Sequence, residues 1–218
     1  MTKICTLVTI DKSFRSLIQK HNYEKYVLDI TSKSQMIFRE IKFTHIENQA
    51  HSESDFIDSN GLHYDTKLLF DKKLGALVGE PKNDFNVWLQ AMLDEKTEFG
   101  ESIMKRDLSF LPTTRLYKVM KERLASVETD ENVIFFIPFP IVDEYKESLF
   151  LQCTTDFLQA VYQQLVDEGM VGNRQVFFIY PSGDSHEYVL RDADRRREYI
   201  TCEELDDFIK FETRIVIE

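Results

Sequence analysis

The chain reads Asn132-Val-Ile-Phe-Phe-Ile-Pro-Phe-Pro-Ile141 at the point that decides its fold. From Val133 to Ile137 every residue is apolar, without the alternation of a strand that has one face in water. We therefore predict a strand buried on both faces, as in a parallel sheet. Because proline cannot donate to a strand ladder, the two prolines that follow should end the paired part near Ile137.

A long amphipathic helix and a second apolar run follow this strand. Asp143 stands where an N-cap belongs, and Gly169 where a helix commonly ends. Between them, apolar residues recur at spacing four: Leu149, Cys153, Phe157, Val161 and Leu165. The second run is Gln175-Val-Phe-Phe-Ile-Tyr180. Two buried strands joined by a helix form a βαβ crossover, which is right-handed in nearly all proteins.

The remaining patterns predict a mixed α/β (α+β) fold. The C-terminal half carries the βαβ unit with a flanking hairpin, and the N-terminal half is mostly antiparallel. We expect one compact protein of two lobes, an α+β lobe over 1–127 and a βαβ lobe over 128–218, divided at a polar, acidic stretch. Within them we predict strands at 25–30 and 35–46, a loop over 48–60, and helices at 11–20 and 202–211.

Composition restricts the classes of function. Lys and Arg number 27 against 38 Asp and Glu among 218 residues, a net charge of −11. This balance disfavours non-specific binding to nucleic acid or to an anionic membrane. The three cysteines are widely separated and form no CxxC pair, which argues against a disulfide framework and a zinc site. No apolar stretch approaches the length of a membrane span and the N-terminus does not match a signal peptide, so we expect a cytoplasmic protein.

One constellation has residue types suited to catalysis. Asp65 is followed after fourteen residues by Glu80-Pro-Lys82, a D-x14-E-x-K pattern on a predicted hairpin that leads into a helix. Two carboxylates can hold Mg²⁺, and a lysine beside the attacking water helps to orient and activate it.

Over about 30 residues, the length that these strands and this helix need, this segment resembles the core of metal-dependent nucleases of the PD-(D/E)xK type. The resemblance implies Asp65 and Glu80 as Mg²⁺ ligands and Lys82 as the residue next to the water. The segment departs from the pattern at Pro81, which removes a ladder bond, and at Tyr64, which stands where proline precedes the first aspartate.

Two other groups contain residue types that could support chemistry. His51 and His63, with Asp55 and Asp58, have metal-ligand side chains, but their spacing matches no ligand template. We interpret the segment around them as a solvated loop.

Ser182, Asp184 and His186 supply the residue types of a catalytic triad, but the chain has no GxSxG. The only basic run, 195–197, is interpreted as a charged hairpin turn because acidic residues surround it.

The first functional hypothesis is a non-catalytic interaction or accessory subunit of a cytoplasmic multiprotein complex, with nucleic-acid processing or defence as its context. It predicts a protein partner or a homo-oligomer, no membrane, no cofactor and no catalytic or metal residue, and direct binding to nucleic acid is disfavoured. The alternative is a Mg²⁺-dependent nuclease that uses Asp65, Glu80 and Lys82, with Asp65 and Glu80 on the metal.

Overall fold

The computed structural model describes residues 2–10, 20–46, 54–69, 109–137, 155–182, 186–203 and 209–217. Its helices are α1 (Lys20–Ser32), α2 (Arg115–Ala125) and α3 (Thr155–Asp167), and a 3₁₀ turn, Leu111–Thr113, leads into α2. Its strands are β1 (Thr2–Ile10), β2 (Phe43–His45), β3 (Phe56–Asp58), β4 (His63–Leu68), β5 (Asn132–Phe136), β6 (Val176–Pro181), β7 (Glu187–Asp192), β8 (Arg197–Thr201) and β9 (Ile209–Ile217).

Seven of these strands form one mixed sheet in the order β2-β3-β4-β5-β6-β7-β8. The three central strands, β4, β5 and β6, are parallel, and antiparallel strands flank them on both sides. β1 and β9 pair separately as an antiparallel ribbon, from Thr2 opposite Ile217 to Ile10 opposite Ile209. The predicted mixed α/β class is confirmed, with its C-terminal βαβ unit, flanking hairpin and antiparallel N-terminal strands.

The quoted apolar run is the central strand β5, and all five of its residues are buried. The N–H of Ile137 donates to the carbonyl of Ile179 at 2.8 Å, and the predicted end of pairing at the prolines lies outside the described residues. α3 then leads to β6, whose Val176 lies beside Val133 in parallel register. The predicted helix start at Asp143 lies outside the described residues.

Two hydrophobic clusters lie on opposite faces of this sheet. Ile134 and Phe136 of β5 pack with residues of α1 on one face. Val133 and Phe135 alternate to the other face, where they pack with residues of α2 and α3. Burying each such large apolar side chain contributes about 1.5–3 kcal/mol to the stability of the fold. The two clusters thus stabilise an arrangement of three layers, with α1 on one face of the sheet and α2 and α3 on the other.

Two predicted strands are wrong near the N-terminus. Residues 25–30 lie within α1, because Tyr23, Val27 and Ile30 recur at helical spacing and are buried. Of residues 35–46, only Phe43–His45 form a strand. The turn before it is held by the carboxylate of Glu198, which accepts backbone N–H groups that a ladder would otherwise use.

Two further predictions need correction. The predicted loop over 48–60 contains β3, which pairs with β4. The predicted helix over 202–211 is wrong at its end, because Ile209 begins β9, which pairs with β1 over its whole length. The division at residue 127 stays a prediction, and β4 and β5, from either side of it, are neighbours in the sheet. Among the described residues, no helix is both long and apolar enough to cross a membrane.

Candidate active site

The site begins where β3 and β4 diverge. Among the described residues, pairing between these strands is confined to Phe56 with Tyr64 and Ile57 with His63. Beyond this point the backbone N–H of Thr66 donates to Oδ2 of Asp55 at 2.7 Å, and its hydroxyl donates to the same oxygen at 2.6 Å. The Asp55 carboxylate thus takes the place of a strand acceptor, and these two bonds fix it at the fork.

Asp65 and Lys67 form an ion pair on β4. They are two residues apart on a strand, so their side chains project from the same face. Lys67 Nζ lies 2.5 Å from Asp65 Oδ2, and the two side chains are only 17% and 9% exposed. The parallel register sets Asp65 beside Val133, whose side chain packs with α2 and α3. Asp65 and Lys67 therefore face the α2 side of the sheet.

Asp55 and Asp65 are both buried, and the backbone N–H of Asp55 donates at 3.0 Å to the carbonyl of Tyr64, the residue before Asp65. Burial and the neighbouring Asp55 raise the pKa of Asp65 to about 7, against the lowering effect of Lys67. Oδ1 of Asp65 is buried and has no hydrogen-bond donor among the described residues.

α1, which packs on the opposite face of the sheet from α2, carries a buried glutamate and a buried tyrosine. Glu24 is 2% exposed, and its Oε2 lies 3.4 Å from Nε2 of His45. Burial raises the pKa of Tyr23, and the charges of Asp55, Glu24 and Asp65 raise it further. The hydroxyl of Tyr23 thus lies within electrostatic reach of all three carboxylates.

The structure brings one of the three predicted catalytic residues, Asp65, into this cluster. Glu80 and Lys82 lie outside the described residues. Lys67 and Asp55 were missed by the sequence analysis, and Asp55 was assigned to a solvated loop although it is fully buried. The sequence signal for both residues is the spacing D-x9-D-x-K from Asp55 to Lys67. This spacing can be recognised only after β3 has been identified as a strand.

The histidine and aspartate group of the sequence analysis does not converge among the described residues. Nδ1 of His63 lies 2.5 Å from Oγ of Ser54, while Asp58 accepts the backbone N–H groups of Asn60 and Leu62. His51 lies outside the described part of the chain. No group of three His, Cys, Asp or Glu side chains there is arranged to hold a metal ion.

The basic run and the catalytic-triad residue types are the remaining candidates from the sequence. In the basic run, Arg196 donates to the carboxylate of Asp192 at 2.5 Å, next to the turn between β7 and β8. Asp184 of the triad types is outside the described residues, so that hypothesis stays untested. Two cavities, of about 390 and 490 Å³, are lined by other residues than Asp55, Asp65 and Lys67.

No protein-family model, curated protein or solved structure matches this chain.

Proposed function

We propose that this chain is a divalent-metal-dependent phosphodiesterase, a nuclease of the PD-(D/E)xK type centred on Asp55, Asp65 and Lys67. The observation that carries the proposal is the buried ion pair of Asp65 with Lys67, beside a second buried aspartate, Asp55, which Thr66 fixes through two hydrogen bonds. These are the residue types of the predicted nuclease pattern, with Asp55 and Asp65-Thr66-Lys67 in place of Asp65 and Glu80-Pro-Lys82.

The aspartates fit a divalent cation by their chemistry. Mg²⁺ is usually bound through one or two carboxylates, with water and substrate phosphate oxygens completing its coordination. Two aspartates therefore suffice as protein ligands. Oδ1 of Asp65 has no hydrogen-bond donor among the described residues, and a cation would offset the burial and the charge of Asp55 that raise the pKa of this carboxyl group. When bound, such an ion supplies Lewis-acid stabilisation of the phosphoryl oxygens and lowers the pKa of a bound water.

The other side chains have distinct roles in this proposal. Thr66 holds Asp55 in a fixed orientation through two hydrogen bonds, so the ligand geometry is formed before substrate arrives. Lys67 keeps Asp65 oriented and presents its ammonium group where it can donate to the attacking water.

The net charge of −11 bears on how substrate would bind. An acidic protein gains little affinity for a polyanion from its overall field. Binding should therefore depend on the bound cation and on a few local positive groups, which agrees with the sequence-based expectation that general nucleic-acid binding is disfavoured.

A cleavage assay tests the proposal. End-labelled single-stranded and double-stranded DNA and RNA are incubated with the full chain in Mg²⁺, Mn²⁺ or EDTA. We expect cleavage of at least one substrate with metal and none in EDTA. Asp55→Asn and Asp65→Asn should each lower the rate about 10²-fold or more, since each removes a group that binds the charged centre.

Asp130→Asn is the matched control, because it makes the same substitution at an exposed position. Its rate should equal that of the wild type. Equal rates for all four proteins would show a contaminating nuclease and contradict the proposal.

The accessory-subunit hypothesis stays a prediction. It would be favoured over the nuclease if the pure protein cleaved none of these substrates and co-purified with a stoichiometric partner from its host.

A further inference from the structure

Arg191 of β7 is a buried cation that forms no ion pair with another described residue. It is 1% exposed. Its Nη2 donates to Oε1 of Gln159 at 2.6 Å and its Nη1 to the carbonyl of Thr155 at 3.5 Å, both on α3. Both acceptors are neutral, and the buried Nε has no acceptor among the described residues. A buried charge with only neutral partners and an unused donor is costly and calls for an explanation.

A second arginine lies directly beside Arg191. Arg197 of β8 is its partner in the antiparallel register, so both side chains project from the same face of the sheet. Val189, two residues before Arg191, packs in the cluster that contains α3, which identifies this face as the α3 side. Residues in such a pair have Cβ atoms about 4.5–5.5 Å apart, and like charges placed there are destabilising.

The α3 side of β8 is accessible from solvent. β8 is the last strand of the seven-stranded sheet, and Tyr199, on the same face as Arg197, is 55% exposed. Arg197 is itself partly exposed, and so is Gln159 across from it on α3. Because the amide of Gln159 occupies the Nη2 donor of Arg191, a change of its rotamer would open that donor to a ligand at this surface.

A phosphate group has the properties that this arrangement lacks. A phosphomonoester carries about −1.5 to −2 charges at pH 7 and offers three acceptor oxygens, which two guanidinium groups can share. Charge-assisted hydrogen bonds are about twice as strong as neutral ones, so a phosphate oxygen can displace the amide oxygen of Gln159. Burial lowers the pKa of Arg191, and the positive charge of Arg197 acts in the same direction. A bound anion would offset both effects.

We propose that Arg191 and Arg197 form a binding site for a phosphate group, with Gln159 as the neutral side chain that the phosphate displaces from Arg191. The ligand is inorganic phosphate or a phosphomonoester, which share this chemistry. β7 is the third strand from β4 in the sheet order, about 14 Å away at the usual strand spacing. The site is therefore separate from Asp65 and does not depend on the proposed nuclease function.

The first test measures the melting temperature of the full chain in EDTA at constant ionic strength. The probes are inorganic phosphate and thymidine 5′-monophosphate, and acetate and thymidine are the controls. We expect a rise of about 3–6 °C at a phosphate concentration ten times the dissociation constant. A larger rise with the nucleotide identifies a phosphomonoester as the ligand, and an equal or smaller one identifies the free ion. No rise with either probe, or an equal rise with acetate, overturns the proposal.

Four variants separate this site from a general effect of phosphate on stability. Gln159→Glu supplies Arg191 with a carboxylate, so it should raise the melting temperature without phosphate and abolish the phosphate-induced rise. Gln159→Ala removes the competing amide and should bind phosphate more tightly than the wild type. Arg197→Gln should weaken phosphate binding about tenfold or more, because it removes a charged donor. Gln163→Glu makes the same charge change at an exposed position of α3 and should respond like the wild type.

The contrast between the two glutamate variants decides the proposal. It is supported if Gln159→Glu loses the response to phosphate while Gln163→Glu keeps it, and it is overturned if both respond alike. Weaker binding in Gln159→Ala than in the wild type would overturn the role of Gln159 as the displaced side chain. Should Arg197→Gln not fold, the variants at position 159 still give the answer.

Discussion

At the scale of single residues, the folded protein disfavours the ionised form of the Asp65 carboxyl group. Its pKa is raised from 3.8 to about 7, chiefly by burial and then by Asp55. When folding raises the pKa of a carboxyl group, the group does not affect the free energy of unfolding at pH values below its pKa in the unfolded chain. As pH rises from that value towards the pKa in the folded protein, the group lowers the free energy of unfolding progressively. Metal-free protein should therefore lose stability between about pH 4 and pH 7 through this group.

Asp65→Asn should accordingly stabilise the metal-free protein while it abolishes cleavage. The amide cannot ionise, so the gain should be larger at pH 8 than at pH 5. After allowance for the lost ion pair with Lys67, we expect a gain on the order of 2 kcal/mol at pH 8. Thermal unfolding in EDTA at the two pH values measures it. A variant that is less stable than the wild type at pH 8 would contradict the electrostatic account of this site.

The sequence predicted one residue of this centre and missed the others for a physical reason. Asp65 was predicted because it opens the D-x14-E-x-K pattern with Glu80 and Lys82. Asp55 was read as a loop residue, because β3 has only three residues and follows a polar segment. Its carboxylate is recognisable only from the tertiary fork, where it replaces a strand acceptor for Thr66.

At the scale of elements, an edge strand anchors the turn that follows α1. The carboxylate of Glu198 on β8 accepts the hydroxyl of Ser34 at 2.6 Å. It also accepts the backbone N–H groups of Gln35, Met36 and Ile37. Burial raises the pKa of Glu198, but these hydrogen bonds outweigh that effect, and its pKa is lowered overall.

Glu198→Ala should destabilise the protein by about 2–3 kcal/mol, because it leaves several turn donors without their acceptor. A carboxyl with a lowered pKa stabilises the fold above its unfolded pKa of about 4.5, and this contribution is lost as pH falls through the folded value. The difference between variant and wild type in the free energy of unfolding, measured with urea, should therefore be largest at pH 7 and become smaller below pH 4. Glu203→Ala, at an exposed position, is the control. A difference that persists unchanged at low pH would contradict the role of the carboxylate.

The same anchor explains why elements differ in how well sequence predicts them. β5 was predictable because Val133 to Ile137 form a short run of β-branched and aromatic residues that a proline follows directly. Residues 25–30 were ambiguous, since a short apolar run fits a strand or a buried helix equally well. The turn over 35–42 depends on Glu198, which lies more than 160 residues away in sequence.

At the scale of the whole molecule, one sheet brings the halves of the chain together. Asp55 and Lys67 precede residue 127, the boundary predicted from composition, and β5, against which β4 pairs, follows it. Strand order of this kind cannot be inferred from local patterns, because the parallel pairing of β4 with β5 joins segments more than 60 residues apart. The predicted class was nevertheless right, since the βαβ pattern is local.

The central claim is that Asp55 and Asp65 together bind one divalent cation. Isothermal titration calorimetry of Mn²⁺ into the wild type and the variants Asp55→Asn, Asp65→Asn and Lys67→Met tests it most directly. The account predicts binding of about one ion per chain, by the two-carboxylate coordination typical of Mg²⁺-type sites, in the wild type and in Lys67→Met. Either asparagine substitution should abolish it. Equal binding heat in all four proteins, or none in the wild type, would contradict the account.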